Sequence, residues 1–196
     1  LFPVFLVIVL RPLVLIRFGV LISSRIGYFA PNPELYLCEL ALKANNKRTV
    51  DIFFHAPPIS NQQLKKMWDR TLHVNRYVKW PYRLLHRLPG FGDHLVNLPS
   101  DRDVRGLLRC TEPHLSFTPE EERFGRAALE ELGIPKGALF ICIHARDSAY
   151  LKSVLPTTDW SGHDYRDCSI HNYMPAAEKL ARKGYFVVRM GATVNE

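Results

Sequence analysis

Between Ala138 and His144 the chain reads ALFICIH, with no polar side chain before the last residue. A short apolar run of this kind is expected to be a strand covered on both faces, in the middle of a parallel sheet. A polar stretch from Arg146 to His171 follows it. A helix is then expected to about Lys183, with Gly184 as its stop, and a second strand over Phe186–Met190. Strand, helix and parallel strand in that order make a βαβ unit, and with it a Rossmann-like α/β fold.

The first half repeats the pattern. Leu15–Ile22 reads as a buried strand and Ser23–Gly27 as a loop. Asn32 is placed as the N-cap of a helix over Pro33–Lys43, with Pro33 in its first turn and Glu34 against its dipole. Val50–His55 is the next strand. Ser60–Gln63 reads as a capping box opening a helix over Asn61–Leu72. Trp80–Leu88 and Arg102–Arg109 read as short helices, with a turn at Pro89–Asp93 between them. Thr118 followed by Pro119 and three glutamates is a strong start for a helix over Pro119–Leu132, and Gly133 is its stop. The expected organisation is an apolar leader over residues 1–12, a Rossmann-like domain over 13–117 and the start of a second over 118–196. The chain opens on Leu1 and closes just after a strand, so it is expected to be a piece of a longer protein.

Composition narrows the partners. The chain has 196 residues, 47% of them hydrophobic, and a net charge of +7. A basic balance suits a phosphorylated substrate or an anionic membrane surface. No run of five Lys or Arg and no zinc-finger spacing accompanies it, so no nucleic-acid partner is expected. Cys38, Cys110, Cys142 and Cys168 form no C-x-x-C, and no thiolate metal site is expected. Cys38 and Cys142 lie in apolar runs and read as buried. A reducing, cytoplasmic setting fits. Leu1–Leu10 is apolar but too short to cross a bilayer, which takes about 20 residues. With Arg11 and Arg17 after it, the segment is expected to be helical, loosely packed and associated with the inner face of a membrane.

Candidate chemistry centres on His144-Ala145-Arg146-Asp147. Ligands of open α/β sheets bind at the carboxyl ends of strands, where this cluster falls. Alternation would send His144 and Arg146 to one face and Ala145 and Asp147 to the other. Arg146 would then offer a forked donor to an anion, or pair with a neighbouring carboxylate as a structural ion pair. The following loop is dense in polar and aromatic groups, among them Tyr150, His163, Asp164, Tyr165 and Asn172, and suits sugars or bases or serves as an ordered lid. Arg25, Tyr28 and Glu34 flank the first strand-to-helix turn. His144, His163 and His171 have no metal-ligand spacing. No G-x-G-x-x-G, P-loop or G-x-S-x-G occurs, which disfavours dinucleotide enzymes, ATPases and α/β-hydrolases.

These residues carry a resemblance. Arg17-Phe18-Gly19, Ser24-Arg25-Ile26-Gly27 and Glu34-Leu35-Tyr36-Leu37 resemble the opening of a family of bacterial glycosyltransferases, mostly uncharacterised. Ile143–Leu151 looks like that family's central motif, and His163–Asp167 and Arg189-Met190-Gly191 extend the match. The His-x-Arg core is also similar to the motif with which fucosyltransferases hold a sugar-nucleotide diphosphate. The resemblance implies a GT-B-like pair of Rossmann-like domains, the second incomplete, with no metal and no cofactor beyond the nucleotide-sugar donor. It implies donor contacts from Arg146, Tyr150, His163, Asp164, Tyr165 and Asn172, with the amino end of the helix at Asn172 facing the diphosphate. His144 and Asp147 are the alternatives for a general base. Arg25, Gly27, Tyr28 and Glu34 would face a glycan or lipid-linked acceptor. The chain departs from the family in placing Tyr28 where a histidine follows the first glycine. A membrane-associated carbohydrate-binding protein without turnover, and another α/β enzyme acting on phosphorylated sugars, are the competing readings.

Overall fold

The computed structural model describes residues 2–42, 48–99, 102–154, 156–191 and 193–194. The chain divides into two compact units, Leu1–Phe117 and Thr118–Glu196. The fold is mixed α/β with parallel sheets, as the alternating strand and helix patterns require.

The first unit runs α1 (Phe2–Leu10), β1 (Leu15–Leu21), α2 (Ile26–Phe29), α3 (Pro31–Leu42), β2 (Thr49–His55), α4 (Gln62–Thr71), α5 (Lys79–Arg87) and β3 (Leu95–Val96). Its sheet has the order β2-β1-β3, with both neighbours parallel to β1. Alternation along β1 divides the core in two. Leu21 belongs to one cluster with Phe29, Tyr36, Phe53, Trp68 and Val96, which brings α3 and α4 onto one face. Phe18 meets Val7 and Leu85, which brings α1 and α5 onto the other. Helices on both faces of a parallel sheet are the doubly wound arrangement.

Two cross-strand pairs organise the α3 face. Arg17 lies opposite Asp51 and grips it with both fork nitrogens, Nε to Oδ1 and Nη2 to Oδ2, each at 2.6 Å. Tyr36 of α3 donates its hydroxyl to the same carboxylate. Burial, and then the hydrogen bond to the Asp51 carboxylate, push the Tyr36 phenol well above its ordinary value, so it stays a donor. One step along, Gly19 lies opposite Phe53, whose ring crosses the strand there. A Cβ at Gly19 would stand 2.5 Å from that ring.

The carboxyl edge of this sheet is laced by short contacts. Ser23, fully buried, donates its hydroxyl to the Ala56 carbonyl at 2.6 Å, and its own carbonyl accepts from the Ser60 amide at 2.8 Å. The Trp68 indole donates to the Phe29 carbonyl at 2.9 Å and fastens α4 to α2. Asn61 caps α4 by accepting from the Leu64 amide at 2.8 Å.

The second unit runs α6 (Pro119–Glu131), β4 (Phe140–Ile143), α7 (Ala149–Val154), α8 (Met174–Ala181) and β5 (Phe186–Arg189). Thr118 and Glu121 form a full capping box at the head of α6. At its tail the Ile134 amide reaches the Leu129 carbonyl and the Gly133 amide that of Glu130, with Gly133 at φ +81°. This is a Schellman stop, and the positive φ explains the glycine. Strands β4 and β5 pair parallel from Phe140↔Phe186 to Ile143↔Arg189.

Several expectations are corrected. Strand β4 was expected mid-sheet, yet β5 is its one neighbour among the described residues, and Phe140 and Cys142 are exposed. An apolar run shows that a strand wants cover; it does not say what stands beside it. Helix α3 starts at Pro31, so Asn32 lies inside its first turn rather than capping it; the expected end at Lys43 lies outside the described residues. Arg102–Arg109 is not one helix. Arg102 and Asp103 take positive φ, and the Asp103 carboxylate captures the Leu107 and Leu108 amides at 2.5 and 3.2 Å, leaving a 3-10 turn over Leu107–Arg109. Local capture of this kind competes with helix. The amino-terminal helix is docked rather than loose, because Val7 is buried against Phe18 and Leu85, while Phe5, Leu6 and Val9 stay exposed. No helix among the described residues is long and apolar enough to cross a membrane.

Two stability outcomes follow. Gly19→Ala forces the Phe53 ring aside and should cost about 1–3 kcal/mol, as overpacking does. Arg17→Met leaves the Asp51 carboxylate under Tyr36 without its counter-charge and should cost about 3 kcal/mol. Urea midpoints of the two variants check both. An unchanged midpoint for either would remove the role assigned to that residue.

Candidate functional site

The second unit holds a cleft at the carboxyl ends of β4 and β5, where open α/β sheets bind ligands. Past Ile143 the chain leaves the sheet and turns into α7. The Asp147 carboxylate accepts from the Ala149 amide at 2.9 Å, which makes the turn. The Cys168 amide donates to the Arg146 carbonyl at 2.9 Å and draws residues 167–170 alongside 145–148. Ser169 then caps a 3-10 turn over Ile170–Tyr173, which runs on into α8. The space enclosed is about 270 Å³. Asp147 and Ser148 line one side and Asp167 to Ile170 another, with Ala145 and with Arg189 from the end of β5 completing the wall.

The lining is polar and of mixed charge. Arg146 brings Nη1 to 3.2 Å from Asp167 Oδ1, with both side chains about three-quarters buried. That oxygen has no hydrogen-bond donor placed on it among the described residues, although it is buried. The contact is therefore an ion pair off the geometry of a hydrogen bond. A buried carboxylate oxygen in that condition is well suited to a ligand hydroxyl.

The expected catalytic and donor residues scatter around this cleft. Asp147 lines it. Arg146 stands behind Asp167 and is not in the lining. Alternation does not run through His144–Asp147, because β4 ends at Ile143. His144 is exposed, with Nδ1 3.3 Å from the Met190 carbonyl. Tyr150 lies on α7. Asp164 and Tyr165 sit on an exposed 3-10 segment, Ser161–Arg166, and Tyr165 is 83% exposed. The side chain of His163 lies outside the described residues. Asn172 is exposed within the 3-10 turn, and α8 begins at Met174 rather than at Asn172. The stretch from Arg146 to His171 is thus no plain loop: α7 and two 3-10 segments interrupt it. The residues missed are Arg189, Asp167 and Ser169. Arg189 carried a readable signal, standing near the carboxyl end of the strand read over Phe186–Met190 and opening the Arg189-Met190-Gly191 match.

The first unit has its own polar edge. Arg25 precedes α2, and Gly27 and Tyr28 lie within it, Tyr28 partly exposed. Glu34 is engaged elsewhere: its Oε1 accepts from the His114 amide at 3.0 Å and faces His114 Nδ1 at 2.9 Å. At the end of β2, His55 Nε2 lies 2.6 Å from Asp69 Oδ1, and Lys65 reaches the other oxygen. His55 was read only as the last residue of a strand, since Asp69 is on a different element. A larger cavity of about 520 Å³ is lined by Leu15 and Thr49, the first residues of β1 and β2, with Arg17, Tyr36, Glu39 and Asp93. It opens at the amino ends of the strands, the end that open α/β sheets do not use for ligands.

No family model, curated protein or solved structure shows a significant match to this chain.

Burial alone would raise the Asp69 carboxyl, but the hydrogen bonds and charges of Lys65 and His55 outweigh it and hold it below its ordinary value. A carboxylate depressed on folding stabilises above its unfolded pKa, about 4, and loses that contribution as pH falls through the folded one. The stability gap between the parent chain and Asp69→Asn should therefore be full at pH 6 and shrink below about pH 4. Urea midpoints across that range test the sign, and a gap independent of pH would show that the pair does not bias folding.

Proposed function

We propose that this chain is part of a glycosyltransferase that moves a sugar from a nucleotide-sugar donor to a glycan or lipid-linked acceptor. The observation that carries the reading is the cleft at the ends of β4 and β5, whose lining Asp147 and Asp167 share with Arg189. A nucleotide sugar offers hydroxyls and a diphosphate. Carboxylates accept hydrogen bonds from the hydroxyls, and a guanidinium grips the diphosphate. The resemblance of Ile143–Leu151 to a glycosyltransferase motif supports the same assignment.

In this reading Arg189 takes the diphosphate and stabilises it as it leaves the anomeric carbon. Arg146 holds Asp167 in place and shares its charge with the donor. The acceptor hydroxyl attacks the anomeric carbon, and its proton passes to Asp147 or His144. Arg25, Gly27 and Tyr28 belong to the acceptor side. A GT-B-like, metal-independent architecture and a place at the inner face of a membrane complete the proposal; the exposed Phe5, Leu6 and Val9 of α1 suit an apolar surface.

A second reading, carbohydrate binding without turnover, is favoured by one observation. Asp147 is already bound to the Ala149 amide, which limits its reach as a base.

Calorimetry with a panel of nucleotide sugars tests the assignment. Arg189→Ala should weaken donor binding by about ten- to a hundredfold, the worth of one charge-assisted contact. Arg146→Lys keeps the charge beside Asp167 and lies outside the lining, so it should weaken binding less. Donor affinity indifferent to Arg189 would sink the proposal. Intact donor binding with no transfer to any acceptor would select the second reading.

A further inference from the structure

We propose that Glu34, Cys38 and His114 form a binding site for a zinc-class divalent ion in the first unit. Glu34 and Cys38 are four residues apart on α3 and so share one helix face. His114 comes from beyond the 3-10 turn at Leu107–Arg109, and the hydrogen bond its backbone N–H donates to Glu34 sets the ring against the helix. One ligand atom from each residue lies within 4.8 Å of the other two. A tetrahedral ion with bonds of about 2.0–2.3 Å needs ligand atoms roughly 3.4–3.6 Å apart, so small rotamer changes suffice.

The chemistry of the three donors selects the ion. A thiolate, an imidazole and a carboxylate suit zinc and its neighbours, and exclude magnesium and calcium, which take oxygen. Cys38 is fully buried, and its sulfur is 2.9 Å from the Thr111 hydroxyl, an outer partner that donates to a thiolate. His114 Nδ1 and Glu34 Oε1 are 2.9 Å apart, the place of a shared proton. The ion takes that place: the imidazole proton moves to Nε2, and the Cys38 thiol proton goes to solvent. Two negative ligands then neutralise the divalent charge, and a water fills the fourth position. The site ties the segment ending at His114 to α3 and has no part in the proposed sugar transfer.

Cobalt(II) is the probe, added to the chelator-treated full chain. One equivalent should bind with tetrahedral visible bands and a thiolate-to-cobalt charge-transfer band, and zinc should displace it. Cys38→Ser should lose the charge-transfer band, His114→Ala should bind far more weakly, and Thr111→Val should weaken binding about ten- to a hundredfold. Cys110→Ser, Cys142→Ser and Cys168→Ser should leave the spectrum intact. Absence of stoichiometric cobalt would overturn the site. So would a band that follows Cys110, or affinity unchanged in His114→Ala. Should Cys38→Ser fail to fold, His114→Ala decides, since that side chain is partly exposed.

Discussion

The bidentate Arg17–Asp51 pair joins two neighbouring strands at a single register step, and much of the first unit hangs on that step. A slip of one residue would set Asp51 opposite Ile16 or Phe18 and turn the faces of β2 over. In the observed register the next pair on that face puts the Phe53 ring over Gly19, and the next puts Leu21 opposite His55. The fork, the glycine and the edge histidine are thus one alignment seen at three points. Tyr36 closes the fork from α3, so the helix is held at the same place as the strands.

Much of the scaffold was legible because its signals are local. Thr118 and Glu121 cap α6 through contacts three residues apart, and the glycines at 133 and 184 stop helices by a conformation that other residues rarely adopt. Strands β1, β2, β4 and β5 were visible as apolar runs. Strand β3, only Leu95–Val96, was not, because two residues carry no periodicity. The neighbours of β4 were not legible either, since pairing is a long-range choice.

The site was legible by halves. The His-x-Arg-Asp cluster stands out in the sequence because charged groups leaving a buried strand are costly without a purpose or a partner. What Arg146 faces could not be read, because Asp167 is brought to it by the turn through Cys168. The same holds for His55 with Asp69 and for Glu34 and Cys38 with His114. In each case the partners share no element, and their meeting is a product of the fold. The basic balance of the chain is also not concentrated in the cleft: its wall sets two carboxylates against one guanidinium. Whatever binds there must present donors as well as negative charge.

Core is shared unevenly between the units. Of the buried apolar side chains among the described residues, only Ile134 and Ala145 belong to the second unit, and both hydrophobic clusters lie in the first. A two-strand sheet with so little behind it sits low on the scale of local opening free energies. Amides of β4 and β5 would then exchange with solvent deuterium sooner than those of β1 and β2. A ligand settling between Asp147 and Arg189 would order its own binding wall, so part of its intrinsic affinity would be spent on slowing that exchange.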